Sequence, residues 1–423
     1  MYKNIFPNIP VILPPKGKIP KGYRLRARDW SFDESLYGQF VEIEGEQIRK
    51  MLTVDVDIPP TDFAEFINQF EPGSPEANEA FAKYFPCCHG CFGCFDETAI
   101  KNRLLTFPEV MTHIIYPGTK LGLRSIKFLG PGEFILNPDL FRILDEFEKL
   151  QIVVGIFTKG IILGSDYLAH KYHGVGSEAL IRRLTAYSVT NFYIGGRSFD
   201  PELEKRTVPA RTKEVRQNVI NHQCRNRAIE RLAALGMNAD LFHQRMTIQC
   251  NPVTRENIDL VEEIYRWGAE RNIPVYLPPT MVSGKGHREA DRLANDLEFE
   301  EKYIDLAVRV YAWAIDRGIL TLEQVEYEGT HPYIAVAPCN QLTHGLYVHS
   351  DGRVQMCPGN DAPGFIVNPD VRTTPLWKIW KGSKNYRFGF DKRINNKCVK
   401  DGYSVPHRFY GEVMSRLKSS LGC

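Results

Sequence analysis

The sequence predicts an α/β fold, a partial (βα)6 barrel with an N-terminal extension and a small C-terminal domain. Apolar segments alternate with helical stretches after the first quarter of the chain, which is the order of parallel βα units. Glycine-rich turns follow several of these segments, where a barrel places its ligand-binding loops. The length of 423 residues exceeds one typical domain and allows a large α/β body with appended elements.

Five apolar segments are predicted strands of the barrel, and the last two are taken as its fifth and sixth. They cover residues 123–129, 152–158, 188–194, 244–251 and 274–277. Helices with apolar residues at helical spacing are predicted at 139–149, 214–235 and 255–271.

The chain is divided here into an N-terminal extension (1–80), a barrel (81–325) and a C-terminal domain (326–423). The extension is rich in proline and aromatic residues, with alternating, strand-like patches at 40–44 and 52–58. A cap over the active site, an element that binds a leader peptide and a simple packing extension are the three interpretations open for it.

Composition is that of an ordinary soluble globular protein. Hydrophobic residues make up 43% and charged residues 25%, and the formal net charge is +2, so no overall field favours a nucleic-acid or membrane partner. No segment is long and apolar enough to span a bilayer, and the N-terminus lacks the features of a signal peptide. Ten cysteines, six of them in two patterned groups, are typical of metal ligation in a reducing compartment, so we expect a cytoplasmic protein.

Three cysteines in one short loop carry the strongest chemical signal. Cys87, Cys91 and Cys94 are spaced C-x3-C-x2-C, so one loop can bring three thiolates onto three irons of a cubane cluster and leave the fourth iron open. A second register begins at Cys88, and His89 is a further possible ligand. A zinc knuckle and disulfides are the alternatives to a cluster.

This spacing resembles that of the radical S-adenosylmethionine (radical SAM) superfamily, whose barrel is TIM-like. In that family the free iron chelates the amino and carboxylate groups of SAM, and one-electron reduction releases a 5'-deoxyadenosyl radical that abstracts a substrate hydrogen. The residue before the last cysteine is usually aromatic in the family, whereas here it is Gly93. The resemblance implies an enzyme with a [4Fe-4S] cluster and S-adenosyl-L-methionine, reduced by a partner such as flavodoxin or ferredoxin.

The turn Gly-Pro-Gly-Glu at residues 130–133 follows the first of the predicted barrel strands. Glycines let the backbone approach a polar ligand, and a carboxylate can accept hydrogen bonds from an ammonium group. The turn is similar to the GGE motif of radical SAM proteins. This likeness implies that Gly130, Gly132 and Glu133 hold the SAM amino group.

Four later strand ends carry further candidates. Thr158 lies in a turn that resembles the family's T-x-G turn, near the cofactor. Arg197 would pair with the SAM carboxylate as a bidentate fork, with a surface salt bridge as the alternative. Asn251 stands where the family often places an adenosine contact, and residues 278–284 would line the adenine.

The C-terminal part has a second cysteine pattern. Cys339, Gly352 and Cys357 are spaced C-x12-G-x4-C, and a hairpin turn predicted at 350–352 would bring the two cysteines together. The pattern resembles the start of a SPASM or twitch extension, which implies an auxiliary iron–sulfur cluster on Cys339, Cys357 and Cys398. The alternative is a pair of buried thiols. The candidates for the fourth ligand are Asp401, His407, Cys423 and the substrate itself.

The resemblance implies SAM cleavage followed by hydrogen abstraction, and we expect the substrate to be a peptide or protein. The alternative is an epimerase, dehydrogenase or rearrangement enzyme for a sugar, nucleoside or other small metabolite, which the basic run at 205–227 would suit. Cys224 and Cys250 are interpreted as buried thiols, although a lone thiol near the cavity would donate hydrogen in an epimerisation. A rival of another class is a non-catalytic iron–sulfur or zinc scaffold. The turn ending at Glu133 argues against it, because a scaffold needs no ammonium-binding carboxylate there.

Overall fold

Strands of the barrel occupy the centre of the protein, in a computed structural model that describes residues 5–6, 8–95, 99–336, 339, 341–367, 370–388 and 398–422. The strands are β1 (Phe40–Ile43), β2 (Glu46–Arg49), β3 (Thr53–Asp57), β4 (Ser125–Gly130), β5 (Val153–Thr158), β6 (Thr190–Gly195), β7 (Met246–Gln249), β8 (Val275–Tyr276), β9 (Gly345–Val348), β10 (Val354–Gln355) and β11 (Ile366–Val367).

Helices surround these strands and fill the connections between them. They are α1 (Thr61–Ile67), α2 (Pro75–Tyr84), α3 (Phe107–Val110), α4 (Tyr116–Lys120), α5 (Leu140–Leu150), α6 (Ile161–Gly164), α7 (Asp166–His173), α8 (Ser177–Ala186), α9 (Pro201–Thr207), α10 (Lys213–Asn218), α11 (Asn221–Ala234), α12 (Val261–Glu270), α13 (Gly286–Leu293), α14 (Leu297–Asp316), α15 (Leu322–Glu328), α16 (Gln341–His344), α17 (Leu376–Gly382), α18 (Lys384–Phe388) and α19 (Phe409–Leu421). A π-helical turn, Met111–Ile115, joins α3 to α4.

The sheet confirms the predicted partial (βα)6 barrel. Its order is β11-β10-β9-β3-β4-β5-β6-β7-β8, and neighbours from β3 to β8 are parallel and sequential. On the other side of β3, β9 pairs in parallel and continues into the antiparallel hairpin β9–β10, as expected for the turn at 350–352. The C-terminal region therefore extends the same sheet as the barrel.

Strand β3 lies within residues 1–80, yet it pairs with β4 as the first strand of the barrel. Its alternating sequence predicted a strand, and all five residues are buried, with Asp55 on a cavity inside the barrel. The division into three units stays a prediction.

Two helices differ from the predicted bounds. The stretch predicted at 214–235 is broken into α10 and α11, with Val219 and Ile220 extended between them. Helix α12 begins at Val261 rather than near 255. Before it, the Asn257 side chain accepts from the Thr254 backbone N–H at 2.7 Å, a local bond that competes with helix formation.

The N-terminal segment crosses the amino ends of the barrel strands. The Arg28 N–H donates to Gln244 O at 2.9 Å, just before β7, and Arg28 O accepts from the Asn191 amide at 2.5 Å in β6. The Trp30 N–H donates to Ser125 Oγ at 2.9 Å, at the start of β4. The segment therefore closes the end of the barrel opposite the expected ligand-binding loops, which matches the packing interpretation rather than a cap.

The helix α5 shows how the outer layer packs. Leu140, Ile143, Leu144 and Phe147 recur at helical spacing and are buried, and the Phe147 ring meets Phe128 of β4 with centroids 5.4 Å apart. Burial of each such side chain stabilises the fold by about 1.5–3 kcal/mol. Across the described part of the chain, no helix has the length and apolar character needed to cross a bilayer.

Gly164 marks a close approach between α6 and α11, because an added Cβ would overlap the carbonyl oxygen of Cys224. We expect Gly164→Ala to lower the free energy of unfolding by about 1–3 kcal/mol, the usual cost of overpacking, in urea or thermal denaturation. The control is Gly411→Ala in α19, where the added methyl meets open space. Equal stability of the two variants would contradict the helix contact described here.

Candidate active site at the carboxyl ends of the strands

Backbone hydrogen bonds fix the cysteine loop on several sides. The Gly90 N–H donates to Pro209 O at 2.9 Å, and the Phe92 N–H donates to Thr207 O at 3.0 Å. At the other end, Cys94 O accepts from the Lys285 N–H at 2.8 Å. The loop is thus held between the end of α9 and the start of α13.

The loop places Cys87, Cys91 and Cys94 on one cavity, named here the cluster cavity. Cys88 is 3% exposed, does not line this cavity and packs into the main hydrophobic core, which favours the register that begins at Cys87. His89 also lines the cavity, so it stays open as a further ligand, and burial lowers its pKa to about 4.

The thiols suit a cationic metal group. Burial raises the pKa of Cys87, and the neighbouring Cys91 and Glu133 raise it further, so thiolates here need compensating positive charge. No three His, Cys, Asp or Glu side chains among the described residues converge on a single ion.

The turn after β4 lies directly against the cysteine loop. Gly132 has a φ of +78°, and a Cβ there would overlap Pro86 O. The Glu133 N–H donates to the same Pro86 oxygen at 2.9 Å. Gly130, the last residue of β4, accepts from the Ile58 N–H at 2.8 Å, which ties the turn to the end of β3.

Glu133 offers the cluster cavity a buried carboxylate. The residue is 5% exposed, and its Oε2 accepts from the Lys159 N–H at 3.0 Å. Its Oε1 is buried without a hydrogen-bond partner among the described groups. Burial raises the pKa of Glu133, although Lys159 and the Thr158 hydroxyl oppose that effect. A bound ammonium would satisfy the free oxygen.

Of the other predicted SAM-binding residues, Gly132, Thr158, Arg197 and Asn251 line the same cavity and Gly130 does not. Thr158 and Asn251 line it at the ends of β5 and β7, and Met281, from the stretch 278–284, lines it as well. Arg197 is 2% exposed, with Nε and Nη1 unpartnered within the described structure, so it is no surface salt bridge. A carboxylate ligand would pair with this guanidinium.

A second cavity, named here the inner cavity, adjoins the first inside the barrel. It reaches from the N-terminal segment to the C-terminal cysteines. The side chains that line both cavities are Phe95, Leu129, Phe157, Tyr193, Gln249, Asn251 and Met281. A molecule in the inner cavity would therefore lie directly beside one bound at the cluster cavity.

The floor of the inner cavity carries charges that the sequence interpretation missed. Lys127 Nζ lies 3.3 Å from both Asp29 Oδ2 and Asp55 Oδ1, and it donates to Thr53 Oγ1 at 3.1 Å. Burial alone would lower the pKa of Lys127, but the two carboxylates raise it. Asp55 and Lys127 could have been identified from the sequence, because each is a charged residue inside an otherwise apolar parallel strand.

The three C-terminal cysteines lie near one another. Cys339 and Cys357 line the inner cavity, and Cys398 packs beside Cys357 in a small cluster around Met356 and Val399. Burial raises the pKa of Cys357, and the nearby Cys339 and Cys398 add to that effect.

The candidate fourth ligands have different positions. Asp401 follows Cys398 in a tight turn, with its N–H donating to Cys398 O at 3.0 Å. His407 is exposed, with Nδ1 3.4 Å from Asp401 Oδ1. Cys423 lies outside the described residues.

Two cysteines and two arginines that suited the small-metabolite alternative lie away from the inner cavity. Cys224 and Cys250 are buried and line neither cavity. In the basic run, Arg225 forms a buried ion pair with Glu204 at 2.8 Å, and Arg227 donates to Gly164 O at 2.9 Å. These groups stabilise the fold around α11 and do not face the inner cavity.

Comparison with known proteins agrees with this geometry. No protein-family model matches the chain. A probable GTP 3',8-cyclase of Sulfurisphaera tokodaii (strain DSM 16993 / JCM 10545 / NBRC 100140 / 7) is 34% identical over 91 residues, which is 21% of this chain and 28% of that protein. The chain therefore matches less than a third of that relative's length.

Two solved structures of radical SAM enzymes share the fold. Histidine-tagged anSMEcpe with bound AdoMet aligns with a TM-score of 0.51 and 13% identity, over 88% of this chain and 95% of that one. Native anSMEcpe with bound AdoMet aligns with a TM-score of 0.50 and 13% identity, over 88% and 99%. The chain therefore has the fold of these two structures, and the α/β barrel expected from the sequence is confirmed.

The close contact between Gly132 and Pro86 predicts that a side chain at position 132 will impair iron binding. We expect Gly132→Ala to displace the cysteine loop and to reduce the iron bound after anaerobic reconstitution to less than half, measured by iron and sulfide assay. Gly45→Ala is the matched control, because Gly45 also has a positive φ, +81°, but its added Cβ meets nothing. Full iron loading of Gly132→Ala would refute the role given to this contact.

Proposed function

We infer that this protein uses a [4Fe-4S] cluster on Cys87, Cys91 and Cys94 to cleave S-adenosylmethionine and to abstract a hydrogen from a substrate in the inner cavity. One observation carries this proposal: the buried, unpartnered Oε1 of Glu133 lies on the same cavity as the three thiols. When bound, the cluster and SAM supply a reducing electron and a 5'-deoxyadenosyl radical.

The residues of the chain bind and orient the cofactor. The Lys159 N–H holds one oxygen of Glu133 so that the other accepts from the SAM ammonium. Arg197 pairs with the SAM carboxylate, and Asn251 lies where the adenosine would pass toward the inner cavity. Apolar side chains on the shared wall, such as Phe157, exclude water from the radical.

An auxiliary iron–sulfur cluster on Cys339, Cys357 and Cys398 is the second part of the proposal. Their placement supports it, because Cys339 and Cys357 line the inner cavity and Cys398 packs against the same small hydrophobic cluster as Cys357. Asp401 is the favoured fourth ligand, because its turn begins at Cys398. An external reductant such as flavodoxin or ferredoxin would deliver the electron.

The proposed substrate is a peptide or protein whose side chain enters the inner cavity. The aromatic walls from Phe157, Tyr193, Tyr276 and Tyr333 suit a single side chain. A small metabolite is the second candidate, and the 91-residue match to a probable GTP 3',8-cyclase favours it. A precursor-peptide gene beside this one would support the first, and neighbouring nucleotide-pathway genes the second.

Loss of the Glu133 charge tests SAM binding. We expect Glu133→Gln to weaken SAM binding to the reconstituted protein by about 10-fold or more, the usual effect of losing a charge-assisted hydrogen bond, in anaerobic calorimetry. Glu202→Gln, an exposed glutamate at the start of α9, should bind SAM like the parent. The assignment of Glu133 fails if both variants bind SAM equally well.

Iron content separates the two clusters. The parent should contain about eight irons per chain, and a Cys339→Ala/Cys357→Ala variant about four, with reductant-dependent formation of 5'-deoxyadenosine retained. A Cys87→Ala/Cys91→Ala/Cys94→Ala variant should also keep about four irons but form no 5'-deoxyadenosine. About four irons in the parent would remove the auxiliary cluster from the proposal, and zinc in place of iron would overturn the function.

A further inference from the structure

The floor of the inner cavity has unequal numbers of positive and negative groups. Asp29 and Asp55 are both buried and share the single ammonium of Lys127, at 3.3 Å from each. With all three groups ionised, these side chains carry one net negative charge; burial raises the pKa of Asp55, which opposes that ionisation, and Lys127 lowers it. A buried excess charge is costly unless a partner neutralises it.

A second, independent observation points to a ligand in the same cavity. Gln341, at the start of α16, is 3% exposed and lines the inner cavity. Neither its Oε1 nor its Nε2 has a hydrogen-bond partner within the described structure. Buried amides are normally satisfied, so this side chain calls for a polar group from a bound molecule.

The walls of the cavity add a third feature. The rings of Phe157 in β5 and Tyr193 in β6 stack with centroids 4.5 Å apart, and the ring of Tyr276 in β8 lies 6.3 Å from that of Tyr193. Tyr333 lines the cavity from the C-terminal side. The Lys400 ammonium lies 5.8 Å from the centroid of the Tyr333 ring, so this wall already holds one cation against an aromatic face.

We propose that the inner cavity recognises its substrate through an ammonium or guanidinium group, which the Asp55 carboxylate and the Gln341 amide oxygen receive within the aromatic walls. This inference rests on the proposed function and names the chemistry of its substrate. A phosphate or carboxylate would instead add a negative charge beside Asp29 and Asp55. Lys127 acts as a positioning residue, because its ammonium holds the two carboxylates on the floor.

Calorimetry on the reconstituted protein, with and without SAM, tests the inference with two cationic and two control probes. The cationic probes are Nα-acetyl-lysine methylamide and 1,5-diaminopentane, and the controls are the norleucine and glutamate analogues of the first. We expect the lysine probe to bind at least about 10-fold more tightly than its neutral norleucine analogue. A norleucine or glutamate probe that binds as tightly would overturn the inference.

Variants assign any preference to the named residues. Asp55→Asn should abolish the preference for the cationic probe, whereas Asp291→Asn, an exposed aspartate in α13, should retain it. Because Asp55→Asn disturbs a buried ion pair, Gln341→Leu provides a second test on a side chain with no partner to lose. Gln341→Leu should weaken binding of the lysine probe about 3-fold or more without lowering the thermal stability of the protein. Preference retained in both variants would contradict the inference.

The same titrations keep the two proposals apart. Normal SAM binding together with no cationic preference would refute this inference and leave the proposed function intact. A preference for the cationic probe in a protein that fails to bind SAM would refute the proposed function and support the cation site. Tighter binding of the acetyl-lysine probe assigns the cation to a peptide side chain, and tighter binding of the diamine assigns it to a free amine; both results support the site.

Discussion

One backbone hydrogen bond joins the two halves of the candidate site. The Glu133 N–H donates to Pro86 O at 2.9 Å, and the missing side chain of Gly132 allows the two turns to approach. This contact brings the buried carboxylate to the cavity that Cys87, Cys91 and Cys94 line. The proposed chemistry depends on it, because an electron donor and a held cofactor must lie within one enclosed space.

The barrel determines the position of the inner cavity next to that contact. Its amino end is closed by the segment around Arg28, so the charged floor near Asp55 faces inward rather than toward solvent. The hairpin β9–β10 continues the same sheet past β3, and Cys339 and Cys357 reach the inner cavity from that side. A substrate there would sit between the SAM-binding residues and the C-terminal cysteines.

Most of the barrel could be predicted because parallel strands and their turns leave local patterns. Glu133, Thr158 and Asn251 were predicted from the resemblance of their turns to radical SAM motifs. The carboxyl ends of parallel strands meet at one edge, so these residues lie together. Asp55 was assigned to an extension, because alternation of apolar and acidic residues is also typical of a half-exposed strand. Asp29 had no local signal, since its contact with Lys127 joins segments far apart in the sequence. The identity of the substrate depends on such long-range contacts.

Electron paramagnetic resonance of the anaerobically reduced protein, recorded before and after addition of SAM, tests the central claim most directly. The Cys339→Ala/Cys357→Ala variant is the right sample, since the signal would then come from the loop of Cys87 alone. We expect the spectrum of a reduced [4Fe-4S] cluster, shifted when SAM binds to its open iron. A spectrum that saturating SAM leaves unchanged would contradict the proposed chemistry. So would a protein fully loaded with metal that gives no iron–sulfur signal.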